Sequence, residues 1–120
     1  MKLLDSMFQV LSYEENHYRI RFCADHVIYQ AHFPGKPITP GVCIVKILGE
    51  LLELQLQSHL QLKMIKNLKF VKPISPIDDE EVEVVFQKVE YVDDEIRVKG
   101  IIQHEQDVYT KFSLRFDKAR

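Results

Sequence analysis

The chain has no tryptophan and only two cysteines, Cys23 and Cys43. Two thiols make no disulfide framework, so a hydrophobic core must hold the fold, and a reduced, intracellular setting is the simpler expectation. An excess of charge of one sign is also missing: 16 Lys and Arg stand against 18 Asp and Glu, for a net charge of −2. No global field then draws the chain to nucleic acid or to a membrane surface, and neither is expected as a partner. No apolar run approaches the ~20 residues of a membrane span. The start, MKLLDSMFQV, has its apolar patch broken by Asp5, unlike a secretory leader. A soluble cytoplasmic protein is expected. There is no repeat, no low-complexity tract, no phosphate-cradling glycine loop and no G-x-S-x-G elbow, so the usual nucleotide-binding and serine-hydrolase signatures are out.

Glycine and proline are scarce, at four and five, and three of each fall between Ala31 and Glu53. The stretch reads AHFPGKPITPGVCIVKILGELLE: a Pro/Gly loop, then the one long helical pattern in the chain. With 120 residues, 46% of them apolar, a single domain over 1–120 is expected. Met7–Ser12 reads as a strand, and Glu14 to Asn16 as a turn. His17–Cys23 alternates, with Tyr18, Ile20 and Phe22 on one side. Val27–Tyr29 reads as a short extended piece. The prolines exclude helix and ladder pairing across Phe33–Thr39. From Val42 to about His59 apolar residues cover most of a helix, which predicts burial nearly all round. Thr39 is placed to cap it, with Pro40 at its first position. Strands are then expected at Lys66–Val71, Glu81–Tyr91, around Ile96–Ile102 and around Val108–Phe116. One buried helix with a run of antiparallel strands is an α+β protein.

Few residues offer chemistry. His32, beside a rigid loop and just ahead of a helix start, has the placement of a general base, with helix N–H groups nearby for a developing oxyanion. From spacing alone, the reading as a structural loop histidine is favoured over it. Lys46, Glu50, Glu53 and Gln57 share one helix stripe, either a solvent face or the wall of a site. Cys23, Asp25, His26 and His32 match no metal-ligand spacing, so no metal is expected. Cys43 lies near the helix start, where a thiolate would be favoured. His17, His59 and His104 read as surface residues. Lys63, Lys66, Lys69 and Lys72, with Arg19 and Arg21, read as a solvated face or as a basic patch for an acidic partner.

The run His32-Phe-Pro-Gly-Lys-Pro-Ile-Thr-Pro-Gly-Val42 resembles the signature of the hot-dog-fold 3-hydroxyacyl-[acyl-carrier-protein] dehydratases, the FabZ/FabA type. Tyr29-Gln-Ala-His32 resembles their lead-in, and Lys69-Phe-Val-Lys-Pro-Ile-Ser-Pro-Ile-Asp78 a second family segment, with Ile77 in place of glycine. The resemblance covers nearly the whole chain. It implies an antiparallel sheet wrapped on one long helix, dimerised edge to edge, with two acyl tunnels at the interface. It implies elimination of water from a 3-hydroxyacyl thioester borne on acyl carrier protein, in a homodimer or higher homo-oligomer, without metal or redox cofactor. His32 matches the catalytic histidine, and Gly41 the residue whose N–H polarises the thioester carbonyl. Phe33 and Val42 fall at substrate-binding positions. Lys46 departs from the pattern, standing where the family carries a Glu or Asp supplied by the other subunit. Three accounts follow. Glu50 takes over as the acid one turn on; or Lys46 is itself the proton donor; or the site binds acyl groups without turnover, as one subunit of a hetero-oligomer. An acyl-thioester hydrolase using Glu50 is the further alternative.

Overall fold

The computed structural model describes residues 2–119. Strands β1 (Phe8–Glu14) and β2 (His17–Phe22) form a hairpin whose turn residues Glu15 and Asn16 take positive φ. Tyr18, Ile20 and Phe22 point into the core, as their alternation predicts. Val27–Tyr29, expected to be extended, instead belongs to a short helix, α1 (Val27–Ala31). The reason is a cap: His26 Nδ1 accepts the Ile28 N–H at 3.1 Å, which outweighs the strand preference of Val27 and Ile28. The helix buries Tyr29.

Helix α2 (Gly41–Leu56) is the long helix, and Pro40 rather than Thr39 is its N-cap. The Pro40 carbonyl accepts the N–H groups of Cys43 and Ile44, while the Thr39 hydroxyl is spent on Tyr29 Oη at 2.9 Å. The helix stops short of His59 because Gln57 turns left-handed, φ 51°, and its N–H folds back to the Glu53 carbonyl. Nor is it buried all round. Cys43, Ile44, Ile47, Leu48, Leu51 and Leu52 enter the core, but Val42 is 78% exposed and Leu54 is exposed as well.

After α2 come β3 (Leu60–Phe70), β4 (Glu81–Val92), β5 (Glu95–His104) and β6 (Asp107–Lys118). All six strands join one antiparallel sheet in the order β1-β2-β4-β5-β6-β3. Its inner face, Val82, Val84, Phe86, Ile96, Val98, Ile102, Phe112, Leu114 and Phe116, closes on the apolar side of α2 as a single core. β3 starts six residues before the expected Lys66. Its residues are almost all exposed, so no burial pattern marks it, and pairing with the long β6 is what extends it. Gly100 is required in β5, because a Cβ there would lie 2.0 Å from the Val85 carbonyl oxygen.

Candidate active site

His32 sits at the end of α1, where its N–H donates to the Ile28 carbonyl at 3.0 Å. Its ring Nδ1 lies 3.1 Å from the Ile38 carbonyl oxygen. A carbonyl can only accept, so Nδ1 carries a hydrogen, and in the neutral ring Nε2 keeps the bare lone pair. That is the tautomer a general base requires. The Phe33 ring stacks on the imidazole, centroids 4.1 Å apart and planes 24° apart, and holds it flat. The Ile38 N–H returns a bond to the His32 carbonyl at 2.8 Å, so the Pro/Gly loop is pinched shut on the histidine. Thr39 N–H then reaches the Ile74 carbonyl at 2.8 Å, tying the loop to the Pro73–Pro76 segment. Sequence reasoning missed Ile38 and Ile74 because both act through main-chain groups.

This pinch carries the chain directly into α2. Gly41 and Val42 are its first two residues, and among the described residues no backbone group bonds their N–H groups. Two unpartnered donors at the positive end of a sixteen-residue helix form a site for a developing negative charge. A Cβ at Gly41 would meet the tip of the half-exposed Phe70 ring at 2.8 Å and would have to push it aside. The end of β3 thus lies over the helix start. Beneath the loop, Tyr29 is buried, and that burial pushes its phenol up to about 12, so it stays neutral and bonds Thr39.

Lys46 and Glu50 are placed differently. Glu50 does not lie on a solvent stripe; it is 3% exposed. Its carboxylate accepts the Leu3 N–H at 3.0 and 2.8 Å and the Leu4 N–H at 2.8 Å. Lys46 Nζ stands 4.0 Å away, on a side chain that is half exposed. Both residues wall a cavity of about 350 Å³ between α2 and the β3–β6 edge, otherwise lined mainly by apolar groups such as Val42, Val45, Leu62 and Phe116. Both also border a neighbouring hollow of about 530 Å³. His32 lines neither. Within one chain, then, the cavities of Lys46 and the loop of His32 are separate places.

The remaining candidates carry less. Burial raises the thiol pKa of Cys43, so the helix start does not make it a thiolate. Burial and then the nearby Asp25 raise that of Cys23. Among the described residues no three His, Cys, Asp or Glu side chains gather as a metal site, and no helix is long and apolar enough to cross a membrane.

Residues 9–112 match the ApeI-like family, described as ApeI dehydratase. The chain belongs to this dehydratase family. Among curated relatives, the 3-hydroxyacyl-[acyl-carrier-protein] dehydratase FabZ of Ligilactobacillus salivarius is 29% identical over 96 residues, covering 74% of this chain and 69% of that protein. The FabZ of Clostridium acetobutylicum is 35% identical over 69 residues, covering 52% and 49%. Among solved structures, the dehydratase heterocomplex ApeI:P from Xenorhabdus doucetiae aligns with TM-score 0.59 and 14% identity, over 88% of this chain and 90% of that one. Protein PA5202 of Pseudomonas aeruginosa aligns with TM-score 0.64 and 11% identity, over 95% and 90%. BH2602 from Bacillus halodurans, solved with CoA, aligns with TM-score 0.61 and 16% identity, over 93% and 74%. At these identities the structural likeness concerns the fold, and the fold is the hot-dog fold.

Proposed function

We propose that this dehydratase removes water from a 3-hydroxyacyl thioester carried on acyl carrier protein, giving the 2-enoyl thioester. The observation that carries the reading is His32 Nδ1 held on the Ile38 carbonyl, in the loop that leads straight to the free N–H groups of Gly41 and Val42. His32 Nε2 takes the α-proton. Negative charge then develops on the thioester oxygen, where the helix start stabilises it. The electron pair returns to form the double bond as the C3–oxygen bond breaks. The leaving hydroxyl takes a proton from the donor and departs as water, and the proton on His32 returns to that donor through solvent to close the cycle. Phe33 and Val42, both exposed beside these groups, supply apolar contact for the acyl thioester.

Lys46 is the proton donor in this reading, with Glu50 as its positioning residue. The buried Glu50 carboxylate is already taken up by the N–H groups of Leu3 and Leu4. The half-exposed Lys46 side chain stands at the cavity wall, where a substrate can reach it. Because His32 lines neither cavity that Lys46 walls, the base and acid meet across a dimer, one from each copy.

The test is turnover of crotonyl and 3-hydroxybutyryl thioesters, on pantetheine and on carrier protein. His32→Ala lowers kcat by about 10²–10⁴-fold. Lys46→Ala lowers kcat with intact folding, whereas Glu50→Gln acts chiefly through stability. No turnover at any acyl length overturns the proposal. Thiol release without enoyl product assigns the chain to thioester hydrolysis. Turnover only after mixing with a sister subunit assigns it to a hetero-oligomer.

A further inference from the structure

The basic residues noted in the sequence divide into two groups in the fold. Arg19 and Arg21 stand beside Glu81 and Glu80, and Lys72 bonds Asp107. Of the β3 lysines, Lys63 bonds Glu95 and reaches Asp117, but Lys69 meets a cation. On the outer face of the sheet, three cross-strand positions set cation opposite cation: Lys69 faces Lys111, Arg97 faces Arg115, and Lys88 faces Lys99. Each such pair is unfavourable on its own. Lys63 and Lys66 widen the field, so eight cations gather around Glu90, Glu95 and Asp117, while the other outward acids of β4, Glu81 and Glu83, are taken by Arg19 and His17 of β2. The first three acids are used: Glu95 by Lys63, Arg97 and Arg115, Glu90 by Lys88, Asp117 by Lys63. Among the described residues, Lys66, Lys69, Lys99 and Lys111 have no carboxylate within 4.0 Å. A shallow depression of about 380 Å³ lies in the middle, between Lys66, Lys88, Lys99 and Arg115. All this occurs in a chain whose net charge is −2, so the positive face is a local concentration and not a general excess.

We propose that this outer face of β3–β6 is a docking surface for an acidic protein. Glu95 already bridges Arg97 and Arg115, and Glu90 holds Lys88; carboxylates on a partner would fill the gap between Lys69 and Lys111 and reach Lys66 and Lys99. The interspersed acids favour a protein over a polyphosphate. Glu95 lies among the cations, where the rigidly spaced phosphates of a duplex would meet it, while carboxylates on flexible side chains can be placed to pass it. The surface lies on the side of the sheet opposite the core and α2, and the inference does not rest on the reaction assigned above.

The test uses the full chain at about 150 mM salt, where only close contacts survive screening. The probes are poly-L-glutamate, a mixed-sequence DNA duplex and phosphatidylglycerol vesicles. Polyglutamate is expected to bind, and Lys88→Gln/Lys99→Gln to weaken it by about tenfold. Arg19→Gln/Arg21→Gln, which removes the same charge elsewhere, should change binding by less than about twofold. Lys99→Thr should raise Tm while weakening binding, because it removes a repulsion the partner would otherwise relieve. Equal losses in the two double variants would reduce the effect to net charge and overturn the proposal. So would absent polyglutamate binding, or tighter binding to the duplex or the vesicles.

Discussion

At the scale of single residues, the candidate site divides into contacts the sequence displays and contacts it hides. His32 and Gly41 are legible because their surroundings are local: a Pro/Gly loop and a helix start lie within ten residues of each other in sequence. Glu50 is not, because its partners Leu3 and Leu4 lie 47 and 46 residues away, and helix spacing alone puts it on a polar stripe. That hidden contact makes a prediction. Glu50→Gln keeps the shape but halves the acceptor oxygens facing three N–H bonds, and should cost about 1–3 kcal/mol. Denaturant unfolding reads that loss, and hydrogen exchange at Leu3 and Leu4 should rise before the core opens. A fully stable variant with lost turnover would instead return Glu50 to the catalytic role. Thr110 offers the opposite case: its Oγ1 is fully buried among the described residues with no hydrogen-bond partner. Thr110→Val replaces an unpaired hydroxyl by a methyl of the same shape and should stabilise by about 1 kcal/mol, seen as a higher Tm.

At the scale of elements, strands with one wet and one dry face declare themselves. β2, β4, β5 and β6 alternate because their inner residues meet α2, and the sequence reading lies within a few residues of each. α1 and the first half of β3 do not, since one is made by a histidine cap and the other by pairing with β6. The β5 hairpin end carries a pH-dependent contact. The Lys63 ammonium, then the Arg97 guanidinium, bond the Glu95 carboxylate and hold its pKa at about 2, below the usual 4.5. A folded pKa below the unfolded one means the contribution is complete above about 4.5 and is lost as pH falls toward 2. Thermal melts between those limits should therefore show a slope that Glu95→Gln flattens. If the variant keeps the full slope, other carboxylates carry it.

At the scale of the molecule, the unfinished feature is the β3 edge. Eleven residues form it, and Leu62, Met64, Ile65 and Phe70 are each 40–48% exposed, an open and apolar edge strand. Such an edge pairs with another strand or aggregates. A second copy, its β3 antiparallel to the first, would continue the ladder and cover the apolar cavity that Val42 and Lys46 line. It would also bring the Lys46 of one copy toward the His32 loop of the other, which a single chain keeps apart. Complementation tests this directly. His32→Ala and Lys46→Ala are each expected to be inactive alone. Mixed after unfolding and refolding together, half of the dimers pair one of each, and every such dimer rebuilds one intact site of its two. Activity should return to about a quarter of wild type if sites are shared across a two-fold interface. No recovery, from variants that each fold and dimerise, would place base and acid on one chain and leave the apolar edge without a catalytic part to play.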